Sequence, residues 1–195
     1  MDRRQFYLYE HHHREWPEGA FRPVADEFEE RFVNDNRQAD SLAVEHHDFR
    51  LLLPRSRNAL DCGAVAFCVY SGTEVAHVAW LATSAAARSS LDHSGYAVRF
   101  EEGEAWTGSA WTVPGFRNRG LLTHSCRRRF EYLLRSGWMM SRAAVETGNT
   151  VSHRATMWFE PRVYAIGRQW RLLGRRWWSE MPVPDEAPLH KTSGT

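Results

Sequence analysis

The spacing of apolar positions divides the chain into stretches of period two and stretches of period 3.6. Residues 64–70 and 74–81 are β-rich runs on either side of Ser71-Gly72-Thr73, which predicts an antiparallel hairpin turning at Gly72. A further strand is expected at 96–100. Residues 104–113 alternate, with Gly108 inside the run as a place for a bulge, and Pro114-Gly115 ends it. After Gly120 the period lengthens. Leu122, Cys126, Phe130, Leu133 and Gly137 then share one face while Arg127, Arg128, Glu131 and Arg135 lie on others, as in a helix packed on a sheet. Residues 138–145 read as the next strand, 150–157 as a short helix, and 162–178 as two closing strands rich in Arg and Trp.

Toward the N-terminus the pattern is thinner. Residues 6–9 read as a short aromatic strand, followed by His11, His12 and His13 in a solvated loop; three adjacent histidines are too close to grip one metal from a regular element. Ala25, Phe28 and Phe32 recur at helical spacing opposite Asp26, Glu29 and Glu30, which predicts an amphipathic helix over 25–36. His46, His47 and Asp48 read as a polar surface turn, and 83–94 as a loop or short helix flanking a cleft. One domain is expected over 1–180, with a disordered tail over 181–195 that carries Pro182, Pro184 and Pro188.

Composition narrows the chemistry. The chain has 195 residues and is 43% hydrophobic, enough for one core. Its 25 basic and 24 acidic residues leave a net charge of +1, which argues against a dedicated nucleic-acid binder. The balance is local, however: between 117 and 142 seven arginines stand against Glu131 alone, so a local anionic ligand is expected. Cys62, Cys68 and Cys126 lack metal-site or redox spacing and fit reduced thiols. No apolar run approaches bilayer length and the first ten residues lack a signal-peptide core, so a cytoplasmic location and no membrane partner are expected.

The segment best suited to chemistry is a strand ending at Pro114, then Gly115-Phe116-Arg117-Asn118-Arg119-Gly120-Leu121-Leu122, then a basic helix. Such a turn gathers backbone N–H groups at a helix N-terminus, where phosphates bind, and Gly120 permits close approach of the backbone. By physics alone this is equally an ordinary strand-to-helix turn. The string from Ala110 to Leu122 resembles the GNAT superfamily signature of N-acetyltransferases, Arg/Gln-x-x-Gly-x-Gly/Ala after a strand and before a helix. Downstream, Asn149-Thr150-Val151-Ser152 resembles the family's Asn-x-x-Ser/Ala. The resemblance covers roughly 64–178 and implies an α/β (α+β) fold with a mixed, mostly antiparallel, splayed sheet flanked by helices. It implies acetyl-coenzyme A, or another acyl-coenzyme A, in the opening between the strands at 104–113 and 138–145, and no metal.

Carried over by position, Ala110, Trp111 and Thr112 would pair with the pantetheine arm. Arg117, Asn118, Arg119, Gly120, Leu121, Leu122 and Thr123 would surround the pyrophosphate, and Asn149 would reach the donor from the far side. Leu122 departs from the family's Gly or Ala, and Thr156 stands where many members have the tyrosine that protonates the leaving thiolate. The activity implied is N-acyl transfer to a primary amine of a small molecule or peptide, with a homodimer compatible. Glu104 is the first candidate base and Glu146 the second, each equally readable as a solvated strand-end carboxylate; Tyr164 is a remote candidate acid. Two other readings stand beside this one: a catalytically silent acyl-coenzyme A-binding regulator, and nucleic-acid binding through the Arg and Trp residues of 162–178, which arginine stems covering indoles explain more simply.

Overall fold

The computed structural model describes residues 2–17, 19–21, 23 and 28–183. Among these, one eight-stranded sheet runs in the order β2-β3-β4-β5-β6-β1-β7-β8, built from β1 (Asp2–His12), β2 (Phe28–Val33), β3 (Val65–Ser71), β4 (Glu74–Ala82), β5 (Glu104–Thr112), β6 (Met140–Glu146), β7 (Arg162–Leu172) and β8 (Arg175–Met181). Five α-helices accompany it: α1 (Asn36–Glu45), α2 (Ser56–Asp61), α3 (Ala85–Leu91), α4 (Leu121–Arg135) and α5 (Thr150–Met157). Every strand pair is antiparallel except β5 with β6.

The central hairpin shows why its sequence reads as a continuous apolar run. Ala66, Cys68 and Tyr70 face one core with Ala39, Ala59, Leu60 and Ala87 of the first three helices, whereas Phe67 and Val69 face another with Leu121 of α4. Both faces of β3 and β4 are therefore covered, and no polar stripe is needed. The turn falls at Gly72, whose φ of 57° suits glycine. α4 ends at Gly137, with φ 85°, while Trp138 N–H donates back to the Leu133 carbonyl.

Four local expectations change. Residues 28–33 form β2, not part of a helix; residues 25–27 of the expected helix lie outside the described residues. A spacing of four is even, so Phe28 and Phe32 share a strand face as readily as a helix face, and here that face meets Phe116, Phe67 and Tyr132. Residues 96–99 form no strand: the segment is irregular, with Tyr96 buried and hydrogen-bonded to Trp106 Nε1 at 2.8 Å. The N-terminal strand runs over Asp2–His12, 11 residues in place of the four at 6–9, and sits inside the sheet, so His11 and His13 are buried instead of lying in a solvated loop. Finally, Met181 closes β8, and 184–195 lie outside the described residues.

The feature that positions the site is the β5–β6 pair. Its parallel ladder covers only Glu104↔Met140, Ala105↔Ser141 and Trp106↔Arg142. Beyond it, β5 stays on β4 to Thr112 and β6 stays on β1 to Glu146, so the two strands part and leave main-chain groups of both facing an opening. A register shift against β4, with Ser109 at φ 46°, provides the bulge expected beside Gly108. Gly108 is itself required, since a Cβ there would overlap the Trp106 ring.

Candidate functional site

The opening is widest at the N-terminus of α4. After β5, Pro114–Phe116 make one 3₁₀ turn, and the chain then passes through two left-handed residues, Asn118 (φ 62°) and Gly120 (φ 77°), the two residue types that accept this conformation most readily. Gly120 is the N-cap of α4 and supplies no side-chain cap, so the first N–H groups of the helix have no intrahelical acceptor. A groove of about 560 Å³ lies against this turn. Ala110, Trp111 and Thr112 form its β5 wall; Arg117, Asn118, Gly120, Leu121, Leu122 and Thr123 form the turn side. Arg117 places its guanidinium 5.4 Å from the Trp111 ring centre. Arg119 is not on the groove wall and lies over Phe116 instead.

The opposite wall comes from α5, through Val151, Arg154, Ala155 and Trp158. Asn149 caps that helix, its Oδ1 accepting from Ser152 N–H at 3.1 Å. Trp111 and Trp158 are 42% and 61% exposed, so two indoles stand open on facing walls.

Further in, where β5 and β6 part, the groove continues into a cavity of about 270 Å³ that shares Ala110, Leu122, Ser152 and Ala155 with it. Asn149, Glu146 and Thr156 line this inner cavity, so Asn149 of the second motif, the second candidate base and the position where many family members have tyrosine lie together there. Glu146 is exposed at its rim and Thr156 is buried. No tyrosine is on its wall. On the far side of the sheet a third space of about 200 Å³ touches the same stretch of β5 at Thr107, Gly108 and Ser109, and Asp92 is the carboxylate on its wall.

Glu104, the first candidate base, lies elsewhere. Its carboxylate is met by Arg142 Nε at 2.6 Å and Nη2 at 2.7 Å, by Arg99 N–H at 2.9 Å, and by the Arg99 guanidinium at 3.3 Å. Burial by itself would raise its pKa; the Arg142 fork and the Arg99 N–H outweigh burial and hold it below the ordinary carboxylate range. Glu104 thus pins the closed end of the β5–β6 pair and is on no wall of the opening. Tyr164 stacks on the same Arg142, 4.5 Å away, and belongs to this clamp.

Two residues of the inner cavity were not singled out by sequence. His11, at 3% exposure, is a wall residue whose Nδ1 has no hydrogen-bond partner. Burial, then His13 and Arg129, lower its pKa to about 3, so it is neutral. Arg129, also 3% exposed, is the other. Within 127–129 the helical phase alone separates it from its half-buried neighbours, and that phase was the available signal. The α5 wall had a signal as well: Val151, Arg154, Ala155 and Trp158 repeat at i, i+3, i+4 and i+7. Among the described residues no group of three or more His, Cys, Asp or Glu side chains could hold a metal ion, and no helix is long and apolar enough to cross a membrane.

No family model and no curated protein matches the chain. Solved structures do match it in shape. A GNAT-family protein from Novosphingobium aromaticivorans, itself a candidate acetyltransferase, aligns over 86% of this chain and 63% of its own, with TM-score 0.54 and 12% identity. A Drosophila protein aligns over 86% of this chain and 50% of its own, with TM-score 0.50 and 16% identity. The chain therefore spans between half and two thirds of the length of these structures. The eight-stranded, mostly antiparallel sheet, splayed between β5 and β6 and covered by helices on both faces, is a GNAT-like fold.

Proposed function

We propose that the chain is an acyl-coenzyme A-dependent N-acyltransferase acting on a primary amine. The observation that carries this is the uncapped N-terminus of α4, with Asn118 and Gly120 left-handed before it, at the mouth of the β5–β6 opening. Unbonded N–H groups and the positive end of the helix dipole suit a pyrophosphate. Arg117 and Arg154 add charge on the two walls, and the exposed indoles of Trp111 and Trp158 offer stacking surfaces for a base. The unpaired edge of β5 suits an amide-bearing arm laid beside it as an added strand, which leads the thioester toward the inner cavity.

The reaction is direct attack. The amine nitrogen bonds to the thioester carbonyl carbon, the C–S bond breaks, and the proton shed by the nitrogen passes to the thiolate. Main-chain N–H groups at the β5 bulge polarise the carbonyl, and positioning supplies most of the acceleration. Glu146, at the rim of the cavity, is the carboxylate placed to take a proton from an incoming ammonium. With no tyrosine on the wall, the attacking amine itself is the proton source for the leaving thiolate.

Thermal melts with coenzyme A and acetyl-coenzyme A test the donor assignment. A ligand at 100 times its Kd stabilises by about 2.7 kcal/mol, and Gly120→Val is expected to remove the shift because a β-branched residue at φ 77° distorts the turn. A wild-type protein that does not respond to millimolar coenzyme A would sink the proposal. A shift without turnover across an amine panel would leave an acyl-coenzyme A-binding module.

A further inference from the structure

Arg129 lies eight residues into α4, about 12 Å along the axis at 1.5 Å per residue, on the wall of the inner cavity. Its guanidinium donates to the Trp80 carbonyl at 3.0 Å, to the Ser125 carbonyl at 3.2 Å and to Cys126 Sγ at 3.4 Å. All three acceptors are neutral. Among the described residues no carboxylate pairs with it, although neighbours on the same helix are paired: Arg127 with Glu131, and Arg128 with both Glu30 and Glu131. Among the described residues the one carboxylate on the cavity wall is Glu146, which is exposed at the rim and makes no ion pair with it.

Burying a guanidinium without a counter-charge is unfavourable, because neutral carbonyls and a thiol do not replace the hydration it loses. Three bonds also leave two of its five N–H groups unspent. Beside it on the same wall stands His11, neutral, with Nδ1 unpartnered. Apolar packing does not account for Arg129, which with His11 lines a space large enough for several heavy atoms. A carboxylate satisfies the guanidinium: its charge balances it and the planar fork of Arg matches its two oxygens, while the His11 ring lines the same space.

We infer that the inner cavity between β5, β6 and α4 binds a carboxylate group of the substrate, with Arg129 as its counter-ion and His11 on the wall beside it. This rests on the reading of the opening as an acyl-transfer site. Two substrate classes carry such a group there: an acyl donor whose chain ends in a carboxylate, or an acceptor that is an amino acid with its α-carboxylate free. The shared chemistry is the carboxylate.

Titration calorimetry on the full chain with matched pairs tests it. Succinyl-coenzyme A is compared with butyryl-coenzyme A, amino acids with their amides in the presence of coenzyme A, and succinate with its uncharged diamide in the absence of coenzyme A. The inference expects at least one charged member to bind about tenfold or more tighter than its neutral partner, as a charge-assisted fork warrants. The first pair identifies a dicarboxylic acyl donor and the second an amino-acid acceptor. Arg129→Met is expected to abolish the preference and Arg129→Lys to retain part of it. Should either variant fail to fold, the wild-type pairs still decide. Equal affinities within all three pairs would overturn the inference, whether or not coenzyme A itself binds; coenzyme A binding alone judges the donor reading.

Discussion

Glu104 and the buried histidines show how far a residue's chemistry depends on what it meets. Glu104 at a strand start has the composition of a base, yet Arg142, Arg99 and burial make it an ionised strut. Glu104→Gln is accordingly expected to act on stability: breaking the buried pair leaves Arg142 only the more distant Glu10 carboxylate, at 3.5 Å, and costs about 3 kcal/mol, read as a lower urea midpoint. Turnover per folded molecule should stay close to wild type, and an unchanged midpoint with a shifted pH profile would return Glu104 to the role of base. His11, His13 and His77 make a second case. Burial is the leading cause that lowers their pKa values, to about 3, 4 and 3. His13 Nδ1–H donates to the Trp138 carbonyl at 2.7 Å, which leaves Nε2 to accept from Ser141 at 2.9 Å. These folded values lie below the unfolded value of about 6.5, so the unfolded state binds more protons and stability falls as pH drops from about 6.5 toward 4, at up to about 1.4 kcal/mol per pH unit for each group. Urea midpoints at pH 7.5, 6 and 5 check this; a midpoint constant across the range would mean that these imidazoles are protonated in the fold.

At the scale of elements, legibility follows the reach of the pattern. The β3–β4 hairpin, β5, α4 and α5 appear where the sequence places them, because turn residues and periodicity act over a few positions. α5 at Thr150–Met157 matches to the residue, and its cap, Asn149, is the motif residue itself. β2 was misread because spacings of four serve both periods, and the deciding fact, pairing of Phe28↔Ser71 through Val33↔Ala66, is made by a strand far along the chain. The inward Glu30 on that strand pairs with His124 and Arg128 of α4, so a residue that looks like a solvated helix face is part of a half-buried hydrogen-bonded cluster.

For the whole molecule, the placement of β1 matters most. It pairs with β6 on one side and β7 on the other, and β7 and β8 reach the rest of the sheet through it. Its Tyr9 and His11 rings, and His13 just past its end, pack on His153 and Phe130 of the two helices that wall the opening. Removing residues 1–12 is therefore expected to abolish the cooperative thermal transition, followed by near-ultraviolet circular dichroism. A truncated chain that still melts sharply would mean that β7 can take the place of β1 beside β6.

The sequence alone determined the turn from Pro114 to Gly120, the helix that follows it, the hairpin at Gly72 and the cap at Asn149, since each depends on neighbours within a few residues and on backbone conformations few residue types accept. Only the tertiary structure decided that Glu104 meets Arg142, 38 positions away, that His13 meets Ser141, 128 positions away, and that Arg129 turns into the cavity while Arg127 and Arg128 find carboxylates. Charge and burial at those positions come from segments distant along the chain, and local periodicity carries no record of which segment will arrive.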